Sequence, residues 1–72
     1  MKKKILIILG GKIRSYRLAN GMSQEELASK AGLHRTYIGM VERGEKNITI
    51  TKLAQIAKAI PIKLSELLKD LP

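Results

Sequence analysis

Between Met22 and Gly44 the sequence reads MSQEELASKAGLHRTYIGMVERG, and its start and stop signals leave little choice of fold. Ser23 followed three residues later by Glu26 has the spacing of a capping box, in which two backbone donors at a helix start are satisfied reciprocally. Leu27, Ala28 and Ala31 form a narrow apolar stripe, and Gly32 supplies the left-handed residue that stops the helix. Leu33, Ile38 and Val41 carry the apolar face of a second helix, which Gly44 ends. Two short helices joined by a glycine-containing turn of three or four residues make a helix-turn-helix arrangement.

The burial pattern of the second helix decides which residues are left for function. At about 100° per residue, Ile38 and Val41 set the inward direction. Thr36, Met40 and Arg43 then fall on the opposite side, with Gly39 between them and Arg35 projecting from the first turn. Arginine makes bidentate contacts to guanine, and threonine offers a hydroxyl together with a methyl that suits thymine, so this face fits a DNA major groove. The geometry alone fits an ordinary solvated helix face equally well. Met40 reads more simply as a single exposed apolar residue than as a base contact.

Charge favours the first reading. Lys and Arg number 14 against 6 Asp and Glu, a net charge of +8 over 72 residues. Such a balance points to a polyanion, nucleic acid first and an anionic membrane surface second. With two tyrosines as the only aromatics, stacking of single-stranded bases is disfavoured. There is no cysteine and a single histidine, His34, so neither a disulfide nor a metal site is expected. Ser15, Ser23, Ser29 and Ser65 belong to no nucleophile–base pattern, and no phosphate-binding glycine loop is present, so no catalytic residue and no cofactor is expected.

The whole of 1–72 reads as one domain, with 1–8 as an N-terminal extension or the first turn of helix 1. The five-residue apolar run Ile5–Leu9 is too short for a signal peptide or a membrane span, which suggests a cytoplasmic protein. Ile5, Ile8 and Leu9 are expected to pack on the body, although Gly10 and Gly11 each cost a helix about 0.5–1 kcal/mol. From Lys12 to Asn20 the pattern is helical, with Ile13, Tyr16 and Arg17 on one side. Arg17 on a core-facing side needs a partner, because an unpaired buried charge is costly. After a polar loop, Thr49 caps a helix whose apolar residues Leu53, Ile56, Ala57 and Ile60 keep i, i+3, i+4, i+7 spacing. A short fifth helix spans roughly Leu64 to Lys69. Asn47-Ile48-Thr49 fits a glycosylation sequon and is read as coincidence.

Gly21-Met22-Ser23-Gln24-Glu25-Glu26-Leu27-Ala28, then Ala31-Gly32-Leu33, Ile38 and Glu42-Arg43-Gly44, resemble the phage-repressor (Cro/repressor, xenobiotic-response-element) helix-turn-helix family. His34 to Gly39 and Glu42 to Thr49 are similar to the controller proteins of restriction–modification systems. The resemblance implies an all-α, compact five-helix domain of the lambda-repressor-like kind. It also implies that Arg17 pairs with Glu42 and that Gln24, opening helix 2, contacts phosphate. Two positions depart from the family: His34 stands where a Ser, Thr or Asp cap is common, and Pro61 stands where a glycine usually follows helix 4. Proline cannot supply a left-handed cap.

These readings combine into a sequence-specific regulator of transcription that binds double-stranded DNA. Arg35 and Thr36 contact bases, and Gln24, Tyr37, Arg43, Lys46 and Asn47 contact the backbone. The resemblance to controller proteins implies that the regulated operon is that of a restriction–modification system. A two-fold homodimer is expected through Ile48, Ile50, Ile62, Leu64, Leu67, Leu68 and Leu71, because the other helices already fill a small core. The alternatives are an antitoxin-like protein-interaction module that also binds DNA, and a basic protein of the membrane surface drawn by Lys2, Lys3 and Lys4.

Overall fold

The computed structural model describes residues 3–72. Five helices follow in order: α1 (Lys4–Ala19), α2 (Gln24–Ala31), α3 (Arg35–Glu42), α4 (Ile50–Ala59) and α5 (Leu64–Leu68), with no strand among the described residues. Met1 and Lys2, part of the expected N-terminal extension and of the lysine run, lie outside the described residues.

The capping box at the start of α2 is complete. The Ser23 hydroxyl accepts from the Glu26 amide, and the Glu26 carboxylate accepts from the Ser23 amide, both at 3.0 Å. Met22 and Leu27 flank this box at the positions of a hydrophobic staple, and both are buried in the core. The helix closes at Gly32, whose φ of 70° is left-handed, and the Leu33 amide reaches back to the Ala28 carbonyl at 2.9 Å. Helix α4 opens on Thr49, whose hydroxyl accepts from the Lys52 amide at 3.2 Å. Its far end closes differently, as Pro61 demands. Ile60 stays right-handed, and the Ile62 amide bonds the Ala57 carbonyl at 2.7 Å, so the turn forms without a left-handed residue.

Ile13, Leu27, Ile38, Val41, Leu53 and Ile56 meet in one core, joined by Ile60, Leu9 and Leu67. Leu67 has no exposed surface. It therefore belongs to the interior of a single chain and not to the expected dimer face. Helix α5 is just five residues long, and Leu67 is its anchor. Outside the core, the Tyr16 hydroxyl donates to the Glu66 carboxylate at 3.0 Å, and the Lys12 ammonium donates to the Lys69 carbonyl, clasping α5 to α1. The bond to Glu66 raises the Tyr16 pKa.

The N-terminal run continues α1 without a break through Gly10 and Gly11. Its buried side runs through Leu9, Gly10, Ile13 and Arg17, which leaves Ile5 and Ile7 exposed at 40% and 47%. Ile5 thus does not pack as the sequence suggested. The reason is Gly10, which lies against the end of α3 and sets the rotation of the helix. A Cβ on Gly10 would stand 2.3 Å from the Val41 carbonyl oxygen and 2.6 Å from that of Glu42. Gly44 is also closely covered by α1: a Cβ there would stand 2.8 Å from both Cα and Cγ1 of Ile7.

Candidate nucleic-acid interface

Helix α3 is presented to solvent by the turn at Gly32 and held from beneath by an ion pair. Arg17 and Glu42 meet through two hydrogen bonds, Nε to Oε2 at 2.7 Å and Nη2 to Oε1 at 3.0 Å. Their side chains are 7% and 2% exposed. Arg17 Nη1 also donates to the Met22 carbonyl at 2.8 Å, so one guanidinium ties α1 to the end of α3 and to the residue before α2. The bond to Glu42 raises the Arg17 pKa. No buried side-chain polar atom among the described residues lacks a partner, which is the condition under which a buried pair is tolerated.

Gln24 extends this network to the surface. Its Nε2 donates to Glu42 Oε1 at 3.1 Å, so the residue expected to touch phosphate is also fixed from behind by the buried carboxylate. Gln24, Arg35, Thr36, Gly39 and Arg43 line one shallow groove of about 200 Å³. The structure therefore brings Gln24 and Arg43 into the same concavity as Arg35 and Thr36. Arg35 and Thr36 are exposed at the start of α3. His34 precedes them as the N-cap, but its side chain makes no capping bond.

Tyr37 is half-buried beside this face, with the Lys52 ammonium 5.4 Å from its ring centroid. Burial raises its pKa. Lys46 and Asn47 are exposed on the loop that follows α3, away from the groove lining. Lys52 is absent from the sequence reading, because nothing in its spacing connects it to Tyr37. Gly10 counts in the sequence only as a cost to helix 1, although a small residue in register with Ile13 and Arg17 is a legible sign of close helix approach. Gly39 belongs to the groove through what it lacks: a Cβ there would stand 3.1 Å from Arg43 Nη1 and 3.6 Å from Gln24 Oε1.

Outside the groove lining, Ile50 and Leu68 are exposed at 60% and 40%. Ile48, Ile62, Leu64 and Leu71 are half-buried and packed on the core. An apolar depression lined by Ala54, Ala57, Ile62 and Leu64 opens between α4 and α5, flanked by Lys58 and Lys63. Among the described residues no cluster of His, Cys, Asp and Glu could hold a metal ion, and no helix is long and apolar enough to cross a membrane.

The helix-turn-helix family matches residues 13–67. Control protein C.SmaI of Serratia marcescens is 52% identical over 61 residues, which cover 85% of this chain and 73% of that protein. The solved restriction–modification controller protein C.AhdI from Aeromonas hydrophila shares the fold at a TM-score of 0.85 and 42% identity, covering 86% of this chain and 94% of that one. The controller protein C.Esp1396I, solved as a tetramer in complex with its natural 35 base-pair operator, aligns at a TM-score of 0.87 and 35% identity, covering 94% and 90%. The family match over most of the chain, the half-identical relative and the shared fold lead to one conclusion: this chain belongs to the helix-turn-helix family, among its restriction–modification controller proteins.

Proposed function

We propose that this protein is a cytoplasmic, non-enzymatic regulator of transcription that binds double-stranded operator DNA sequence-specifically as a homodimer. The operon it controls is that of a restriction–modification system. The observation that carries this reading is the groove on α3, where Arg35 and Thr36 stand exposed beside Gln24. Arg35 and Thr36 read base edges in the major groove. Gln24, in the first turn of α2, contacts phosphate with the second hydrogen of the amide that Glu42 orients. Tyr37, Lys46 and Asn47 flank this face as backbone contacts, which orient the helix without reading sequence.

Two further observations support the reading. C.Esp1396I, which shares the fold, binds its operator as a tetramer. The apolar face of α4 and α5, with Ile50 and Leu68 at its exposed edge, supplies a surface on which two copies pair. A two-fold pair sets its recognition helices about 34 Å apart, one turn of DNA, and so requires a palindromic operator.

Arg35→Ala tests the assignment. It should weaken binding to the operator by about 1–3 kcal/mol and relax the preference at one base-pair position per half-site. Equal losses on operator and random duplex would reduce Arg35 to a phosphate contact.

A further inference from the structure

Arg43 follows the last residue of α3, on the same face as Arg35, Thr36 and Gly39. Position and charge alone assign it to the DNA backbone; its geometry points elsewhere. The side chain folds back along the helix, so that Nη1 lies 3.1 Å and Cζ 3.9 Å from the point a Cβ on Gly39 would occupy. The guanidinium rests where any larger residue at position 39 would put a side chain. Its Nε donates to the Glu45 carboxylate at 3.1 Å, which fixes the plane of the group and leaves the Nη1–Nη2 edge for a ligand.

Two considerations separate a base from a phosphate as that ligand. Phosphates flank a recognition helix, whereas base edges face the outward side of that helix itself, and Arg43 shares this side of α3 with Arg35 and Thr36. Moreover, a carboxylate 3.1 Å from the guanidinium offsets part of its charge and so weakens its attraction for a phosphate. A guanine edge depends less on net charge, because its O6 and N7 accept two parallel N–H donors. Resting on the DNA-binding reading above, we propose that Arg43 is a specificity-determining residue, seated by Gly39 and oriented by Glu45 to read a guanine in the major groove. Gly39 is a positioning residue, which acts only through Arg43.

The test is a double-mutant cycle of Gly39→Ala and Arg43→Ala. Affinities are measured by fluorescence anisotropy on the duplex that the wild type selects and on each of its single-base-pair substitutions. Arg43→Ala should cut discrimination at one G·C position per half-site by roughly tenfold to a hundredfold, the worth of one bidentate contact. Gly39→Ala should flatten the same position and have no further effect once Arg43 is gone. Alanine is a better helix former than glycine, so Gly39→Ala should melt no lower than the wild type, and circular dichroism checks this. Arg43→Lys, which keeps the charge without the fork, should behave like Arg43→Ala at that position.

A uniform loss on every duplex with Arg43→Ala overturns the proposal, because it describes a phosphate contact. A Gly39→Ala effect that persists in the Arg43→Ala background overturns the seat, because the new methyl then meets DNA itself. A wild type that selects no sequence overturns the proposal together with the DNA-binding reading, and is distinct from both of the other failures.

Discussion

Gly10 of α1 and Val41 of α3 touch through their backbones: a single added methyl on Gly10 would stand 2.3 Å from the Val41 carbonyl oxygen. This contact, with the Arg17–Glu42 pair one helical stretch further on, locks α1 to the end of the helix that carries Arg35 and Thr36. The face of α3 that carries these two residues is therefore held from its buried side at two points, and the depth of one glycine sets how closely the two helices approach.

Adjacent glycines on α1 should respond in opposite directions. Gly11 has nothing within 4 Å of its missing Cβ, so Gly11→Ala should stabilise the fold by about 0.5–1 kcal/mol through helix propensity alone. Gly10→Ala gains the same propensity but collides with two fixed carbonyls, and should lose a net ~1–3 kcal/mol as other overpacked sites do. Chemical denaturation of the two variants checks this. Equal stabilisation by both would mean that α1 does not pack on α3 as described.

The Arg17–Glu42 pair should be more costly to break than to replace. Arg17→Met leaves the Glu42 carboxylate buried beside Gln24, and a loss of about 3–5 kcal/mol is expected. Replacing both with apolar residues should cost much less than the sum of the single losses. Additive losses in urea denaturation would show that the two side chains do not interact.

Glu26 makes stability depend on pH in one direction. Its hydrogen bonds to the Ser23 amide and hydroxyl hold the carboxyl below its ordinary pKa, so the unfolded chain binds the proton more readily. The carboxylate thus stabilises the fold above the unfolded pKa, and that contribution fades as pH falls through the depressed folded value. Glu26→Ala should be less stable than the wild type at pH 7, and the gap should close in acid. A gap that is unchanged from pH 7 to pH 2 would mean that the capping contribution does not come from the ionised form.

Ile50→Glu with Leu68→Glu should convert a dimer into a monomer without unfolding it, since both side chains are exposed in the single chain. Sedimentation at micromolar concentration measures the change. Leu67→Glu serves as the contrast: with no exposed surface, it should unfold the chain instead. If the double variant sediments as the wild type does, pairing through α4 and α5 is wrong.

Much of this architecture is legible in the sequence because the signals are local. Ser23–Glu26 and Thr49 declare helix starts, Gly32 declares a stop, and the spacing of Ile13, Leu27, Ile38, Val41, Leu53 and Ile56 selects the core. What escaped depends on contacts between distant segments. The exposure of Ile5 and Ile7 follows from the rotation of α1, which Gly10 sets against the distant carbonyls of Val41 and Glu42. Leu67 looks like its neighbour Leu68, and only the seating of α5 buries one and leaves the other 40% exposed. The groove residues were identifiable by type and face. The direction of the Arg43 side chain was not, because it depends on a cavity left by glycine and a carboxylate two residues ahead.

The central claim is that α3 reads the sequence of duplex DNA in a two-fold frame, and selection from a random duplex library tests it most directly. The account predicts enrichment of an inverted repeat, with half-sites one helical turn apart and preferences that weaken at one position per half-site in Arg35→Ala. Retention of DNA with no enriched motif, or enrichment of one lone asymmetric half-site, would contradict it.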